Sequence, residues 1–208
     1  MNTLGLFALF ACSNRAKATG ISFIDSTPIA VCENPRILSH KVLKKYAKRG
    51  KTTTGWFYGF KLHIVINHFG EIVAFVLTPG NIDDRDPKTI KKLTRKLFGK
   101  LFGDRGYISA KLFADLWERG IQLITRLRSN MHNKLMPLED KLALKKRGII
   151  ESINNILKNC LQIEHTRHRS VAGFFTNIFS AIAAYSFYKN KPALFKGENM
   201  NCSTLTCD

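Results

Sequence analysis

Acidic residues are scarce in this 208-residue chain: 15 Asp and Glu stand against 33 Lys and Arg, leaving a net charge of +18 and a pI near 10. Such an imbalance points to a polyanionic partner, nucleic acid first and an anionic membrane surface second. Cysteine is also sparse. The five present (Cys12, Cys32, Cys160, Cys202, Cys207) are odd in number and form no C-x-x-C pair, which argues against a disulfide framework and a zinc knuckle and fits a reducing cytoplasm. The apolar start, Leu4 to Ala11, has no basic residue before it, and Arg15 and Lys17 follow it, so it lacks the layout of a secretory signal. Unbroken apolar runs of membrane-spanning length are missing too. Val171 to Tyr188 is interrupted by Thr176, Asn177, Ser180 and Ser186, and its Phe175, Ile178, Phe179 and Ile182 recur at helical spacing, predicting a buried helix. Gly50-Lys-Thr52 lacks the glycine five positions earlier that a phosphate loop needs; Lys45 is there instead, and no nucleotide is expected. There is no internal repeat.

What remains is enough for one domain: 45% of residues are hydrophobic and 11% aromatic, which suits a single packed core and excludes disorder. Ile21 to Asp25 reads as a short strand ended by a turn at Pro28. A basic stretch from Arg36 to Lys51, with seven positive charges, is either a solvated surface or a phosphate-contacting segment. Phe60–Ile66 and Glu71–Leu77, separated by Asn67-His-Phe-Gly70, predict a hairpin. Asp83, Asp84 and Asp86 precede Pro87 and read first as caps for a basic helix reaching about Leu97. Lys100 to Asp104 is a further strand, Ser109 caps a helix from Ala110 to Arg119 that Gly120 stops, and Ile121 to Arg126 is the last strand. A polar loop over Ser129–Met136, the longest helix from Pro137 to Cys160 and a loose tail from Phe195 complete the chain. Strands alternating with helices predict an α/β architecture, a mixed sheet flanked by helices.

Against so basic a background, acids at the ends of apolar strands require a reason. Asp25 and Asp104 each follow such a run, and Glu151 lies in the long helix. At 100° per residue, Arg147, Glu151, Asn154, Asn155 and Lys158 share one side of that helix, and Ile150, Ile153, Leu157 and Cys160 another. Three converging carboxylates would make a hard oxygen site for Mg²⁺ or Mn²⁺, and two such ions can drive an in-line phosphodiester displacement. Spacing alone equally allows Asp25 to cap a turn, Asp104 to pair with Arg105 and Glu151 to pair with Arg147.

Phe23-Ile-Asp25-Ser-Thr-Pro28, Gly59-Phe-Lys-Leu-His63, Thr78-Pro-Gly-Asn81, Phe102-Gly-Asp104-Arg-Gly-Tyr107 and the Glu151 segment occur in the order found in bacterial insertion-sequence DDE transposases. From Gly20 to Tyr188 the chain resembles the catalytic domain of those enzymes, most nearly insertion-sequence family nine-eight-two, related to the family-four type. The family-four signature Y-(2)-R-(3)-E-(6)-K is matched by Arg147, Glu151 and Lys158, with Leu144 where the Tyr belongs. The resemblance implies an RNase H-like fold over 20–190, with Asp25, Asp104 and Glu151 as catalytic acids and ligands of two Mg²⁺ or Mn²⁺ ions. It implies DNA contact by Arg105, Arg147 and Lys158, and by Arg167, His168 and Arg169 in His165-Thr-Arg-His-Arg-Ser170. In that segment no cysteine stands at ligand spacing, so phosphate contact is favoured over zinc. The implied activity is hydrolysis at the element ends followed by strand transfer to target DNA, by a homodimer in the bacterial cytoplasm at the nucleoid, with no membrane partner. Segments 1–19 and 191–208 do not resemble the family. Only 24 residues precede Asp25, where the family carries a longer end-recognition region, so the chain reads as a truncated copy whose activity is in question. A non-catalytic DNA-binding remnant and a stand-alone RNase H-like nuclease are the alternatives.

Overall fold

The computed structural model describes residues 3–53, 55–126, 136–164 and 167–194. The expected loop over Ser129–Met136, all but its last residue, lies outside the described residues, as do His165, Thr166 and the tail from Phe195. The elements are α1 (Thr3–Ser13), β1 (Ile21–Cys32), β2 (Lys48–Thr52), β3 (Gly55–Asn67), β4 (Ile72–Pro79), α2 (Pro87–Leu93), β5 (Gly99–Gly103), α3 (Ala110–Trp117), β6 (Ile121–Thr125), α4 (Leu138–Lys145), α5 (Gly148–Asn155) and α6 (Val171–Ser186). A π-helical turn, Ile156–Cys160, continues α5.

The strands form one six-stranded mixed sheet, the architecture expected from the alternating pattern. β1 pairs antiparallel with β3 on one side and parallel with β5 on the other, and β6 extends the parallel half. β3 shares its outer edge between β2, along Gly55–Gly59, and β4, along Phe60–Ile66. The antiparallel β1, β3 and β4 leading into parallel β5 and β6 make the RNase H-like sheet. Successive strand residues point to opposite faces, and the core divides accordingly. Phe23, Leu62, Ile64 and Phe102 pack with Ile150, Ile153, Phe174 and Ile178 of α5 and α6. Ile24, Val65, Leu101 and Leu123 pack with Ile90, Leu93, Leu112 and Leu116 of α2 and α3.

The expected turn at Pro28 is absent: β1 runs straight through it to Cys32. β5 pairs only with Ile21–Phe23, so beyond Phe23 this side of β1 is a sheet edge. Ala30 N–H points out of that edge to Glu164 Oε1 (2.9 Å), and Pro28, two residues earlier on the same side, has no N–H to leave unpaired. The long helix predicted from Pro137 to Cys160 is likewise corrected. It is broken between Lys145 and Gly148, with Lys146 turned out of helical geometry (φ −80°, ψ 2°). Glycine is the weakest helix former after proline, and the break lets α4 bury Ala143 and Leu144 while α5 buries Ile150 and Ile153.

α6 is the buried helix anticipated for Val171–Tyr188. Ser170 caps it by accepting from Gly173 N–H, and Tyr185 donates its hydroxyl to Gly70 O (2.8 Å). The N-terminal apolar run forms α1 and packs on α6, where Phe10 stacks on Phe187. Among the described residues no helix is long and apolar enough to cross a membrane.

Asp86 fills the cap role read for it, accepting from both the N–H and the hydroxyl of Thr89 at 2.8 Å, with Pro87 opening α2. Asp86→Ala is expected to cost about 1 kcal/mol, seen as a thermal midpoint lower by about 2–4 °C.

Candidate active site

The sheet sets the position of the two aspartates. Phe23 pairs with Phe102 across the parallel β1–β5 ladder. Asp25, still within β1, and Asp104, just past the end of β5, each lie two residues further on, so their side chains start from the same face of the sheet. β5 ends at Gly103, and Asp104 is held extended while its Oδ1 accepts from Gly106 N–H (2.8 Å), capping a tight 3-10 turn over Arg105–Tyr107. Among the described residues no ion pair joins Asp104 to Arg105, whose side chain is exposed.

The third acid comes from α5, whose apolar side packs on the same face. Arg147, at the start of α5, reaches Glu151 Oε1 through Nη2 (3.0 Å) and Asp25 Oδ1 through Nη1 (3.6 Å), so one guanidinium bridges two of the three carboxylates. Asn154, one turn after Glu151, donates from Nδ2 to Asp25 Oδ2 (3.0 Å). Asp25 is 17% exposed and Glu151 63%. Burial raises the Asp25 pKa to about 6; the charge of Arg147 opposes the rise, and Asp104 and Glu151 add to it. Asp25, the innermost, therefore senses both of the other acids.

The remaining sequence-predicted residues scatter around this core. Lys158 Nζ pairs with Glu164 Oε2 (2.8 Å), and Glu164 holds Ala30 N–H on β1 with its other oxygen. Arg167 and Arg169 are exposed, and His168 packs edge-on against Phe174. The helical wheel holds as far as Asn155. Beyond it the π-helical turn changes the angular step, and Cys160, expected on the apolar side, is exposed. Asn154, assigned to the polar side, is buried against Asp25.

Sequence reasoning also missed a polar group on the opposite face of the sheet. His63 is fully buried, hydrogen-bonded through Nε2 to Thr78 Oγ1 (2.9 Å), with Nδ1 4.0 Å from Asp84. Lys61 Nζ donates to Asp84 (3.1 Å) and to Ile82 O. Burial holds the His63 pKa down, to about 4. All of these residues but Ile82 and Asp84 fall in the runs Gly59–His63 and Thr78–Asn81, which is the one signal that would have drawn attention to them.

Among the described residues no three His, Cys, Asp or Glu side chains are gathered closely enough to enclose a metal ion. In donor type the site nevertheless fits a hard divalent cation. It offers three carboxylates, and the buried Asn154 Oδ1 beside Asp25 has no hydrogen-bond partner.

No curated protein matches the chain. Among solved structures it is similar to the piggyBac transposase in a cryo-EM synaptic complex with hairpin DNA, with 12% identity and a TM-score of 0.43 over 64% of this chain. The match spans 30% of the length of that protein. Residues 15–171, well over half the chain, match the family model described as the transposase DDE domain, and the chain belongs to that family.

Proposed function

We propose that this chain is the catalytic domain of an insertion-sequence transposase of the nine-eight-two type, with 20–190 as the working unit. Its reaction cuts a phosphodiester at the element end to free a 3′-hydroxyl, which then attacks a phosphorus of target DNA and displaces that strand's 3′ oxygen. The observation that carries this reading is the arrangement of Asp25, in β1 just beyond its pairing with β5, and Asp104, just past the end of β5, with Arg147 bridging Asp25 to Glu151. Asp25, Asp104 and Glu151 would hold two Mg²⁺ or Mn²⁺ ions. Once bound, such ions activate the attacking oxygen and stabilise the leaving one.

The protein's own groups have separate tasks. Asn154 fixes the Asp25 carboxylate at Oδ2, which orients Oδ1 for use. Arg147 offsets the negative charge of Asp25 and Glu151 in the resting protein and, with Arg105, Lys158, Arg167, His168 and Arg169, is a candidate for DNA phosphates. A homodimer acting on element ends and target in the cytoplasm at the nucleoid completes the reading. A second reading, a DNA-binding remnant without turnover, draws on the bridging of two acids by Arg147 and the ungathered carboxylates.

Incubation of the purified chain with Mn²⁺ and duplex DNA is expected to give nicking or strand transfer that is absent with a chelator and in Asp104→Asn. Equal activity in wild type and variant sinks the catalytic assignment. Salt-sensitive DNA binding without metal-dependent turnover selects the remnant, and preferential cleavage of RNA–DNA hybrids selects a nuclease.

A further inference from the structure

Asn154 occupies a position where a hydrophobic residue would be at home. Its helix neighbours Ile150, Ile153 and Leu157 are fully buried, and Asn154 itself is 8% exposed. A buried amide must use both ends or bear the cost of desolvation. One end is used, since Nδ2 donates to Asp25 Oδ2 at 3.0 Å. The other is not: Oδ1 is enclosed and has no hydrogen-bond partner. The bond to Asp25 also fixes which end is which, because turning the amide over would set its oxygen against a carboxylate oxygen. An unfilled acceptor thus sits on the same amide that grips the innermost acid, whose charge is opposed by Arg147 and reinforced by Asp104 and Glu151.

We infer that Asn154 is a positioning residue of the acid site: Nδ2 locks the Asp25 carboxylate, and Oδ1 offers a neutral oxygen to a divalent ion held by Asp25 or to a water in that ion's shell. This rests on the reading of Asp25 as a metal ligand. The amide suits the place chemically. It adds an oxygen donor without a fourth negative charge in a pocket where burial and two neighbouring acids already disfavour the ionised form of Asp25.

Mn²⁺ titration of the DNA-free full chain at pH 7.5, followed by the free-ion EPR signal, tests the inference. Thermal melts run alongside. Asn154→Ala is expected to weaken Mn²⁺ binding about ten- to a hundredfold, the usual effect of removing a residue that orients a ligand. Asn154→Leu keeps the bulk and removes the unpaired oxygen, so its melting midpoint should hold or rise while Mn²⁺ affinity falls by the same factor. A merely structural residue does not give that split. Unchanged Mn²⁺ affinity in either folded variant overturns the inference, and so does failure of both to fold. Asp25→Asn separates the two levels. If Asp25→Asn loses Mn²⁺ and the Asn154 variants retain it, the inference alone fails. If Asp25→Asn retains it, or the wild type does not bind Mn²⁺, the ligand reading fails and the inference with it.

Discussion

Asp25→Asn is expected to abolish metal-dependent DNA cleavage and, in the same protein, to raise the stability of the metal-free fold at neutral pH. The first effect should exceed about a hundredfold, since removing a residue that only orients a ligand already costs about 10- to 100-fold. The second follows from the shift of Asp25 from 3.8 to about 6. Between those values the folded protein holds a proton that the unfolded chain has released. Stability therefore falls as pH rises through this window, and the deficit is fully present above it. A shift of that size corresponds to about 3 kcal/mol, taken as an order of magnitude. An amide carries no charge to desolvate, and its oxygen still accepts from Asn154. Urea melts at pH 5 and pH 7.5 provide the check: the wild type should weaken between them, and the variant should lose that component. Equal pH dependence in the two proteins would remove Asp25 as the innermost, strained acid.

The strain on Asp25 also accounts for the place of Arg147 between Asp25 and Glu151. Its charge is the chief opposing influence on the Asp25 pKa, so a resting site without a divalent ion keeps a cation of its own. A site built to attract positive charge is costly when empty, and Arg147 offsets part of that cost.

Asp25 and Asp104 drew attention because each follows an apolar run in a chain of +18, but spacing left capping and ion-pair roles open and the family resemblance singled them out with Glu151. The hairpin Phe60–Leu77 was legible because alternation and a glycine turn are local signals. What failed needed tertiary information. Pro28 looked like a turn because proline cannot donate to a ladder, yet its N faces an edge that β5 leaves open beyond Phe23. The helix over Pro137–Cys160 looked continuous because its periodicity runs across Gly148 without a visible defect. The wheel misplaced Cys160, because the π-helical turn changes the angular step, and it put Asn154 on the right side without recording that this side faces Asp25. Asn154 turns inward because Asp25 is there to receive it, a contact across 129 positions of chain. His63 and Asp84 were missed for the same reason: their partners come from three separate segments of the sheet and the loop that follows it.

Gly59→Ala is expected to be among the most damaging single substitutions away from the acids, at about 3 kcal/mol, the upper end of ordinary overpacking. Gly59 lies in β3 between Ala30 of β1 and Lys48 of β2. A Cβ there would sit 2.1 Å from Ile29 O and 3.1 Å from Ala30 Cα. Both are backbone atoms, so no rotamer change relieves the clash, and either β1 or β3 must move. β1 has little freedom at this point, since Ala30 N–H is held by Glu164 and the ladder already shifts register between Ala30 and Cys32. Gly80 adds a third constraint, donating its N–H to Gly59 O while its own Cβ would lie 2.7 Å from Lys48 O. Three strands close on one another here, and β1 carries Asp25 five residues upstream. Gly148→Ala is the contrast, because nothing lies within 4 Å of its Cβ and it begins α5. There the methyl reduces the freedom of the unfolded chain and should stabilise by about 0.4–1 kcal/mol. Denaturant melts that place the two variants on opposite sides of the wild type would locate the cost in the crowding of β1, β2 and β3. A Gly59→Ala protein that melts like the wild type would mean that β1 can draw away from β3 at Ala30, and that the strand bearing Asp25 is not held by this contact.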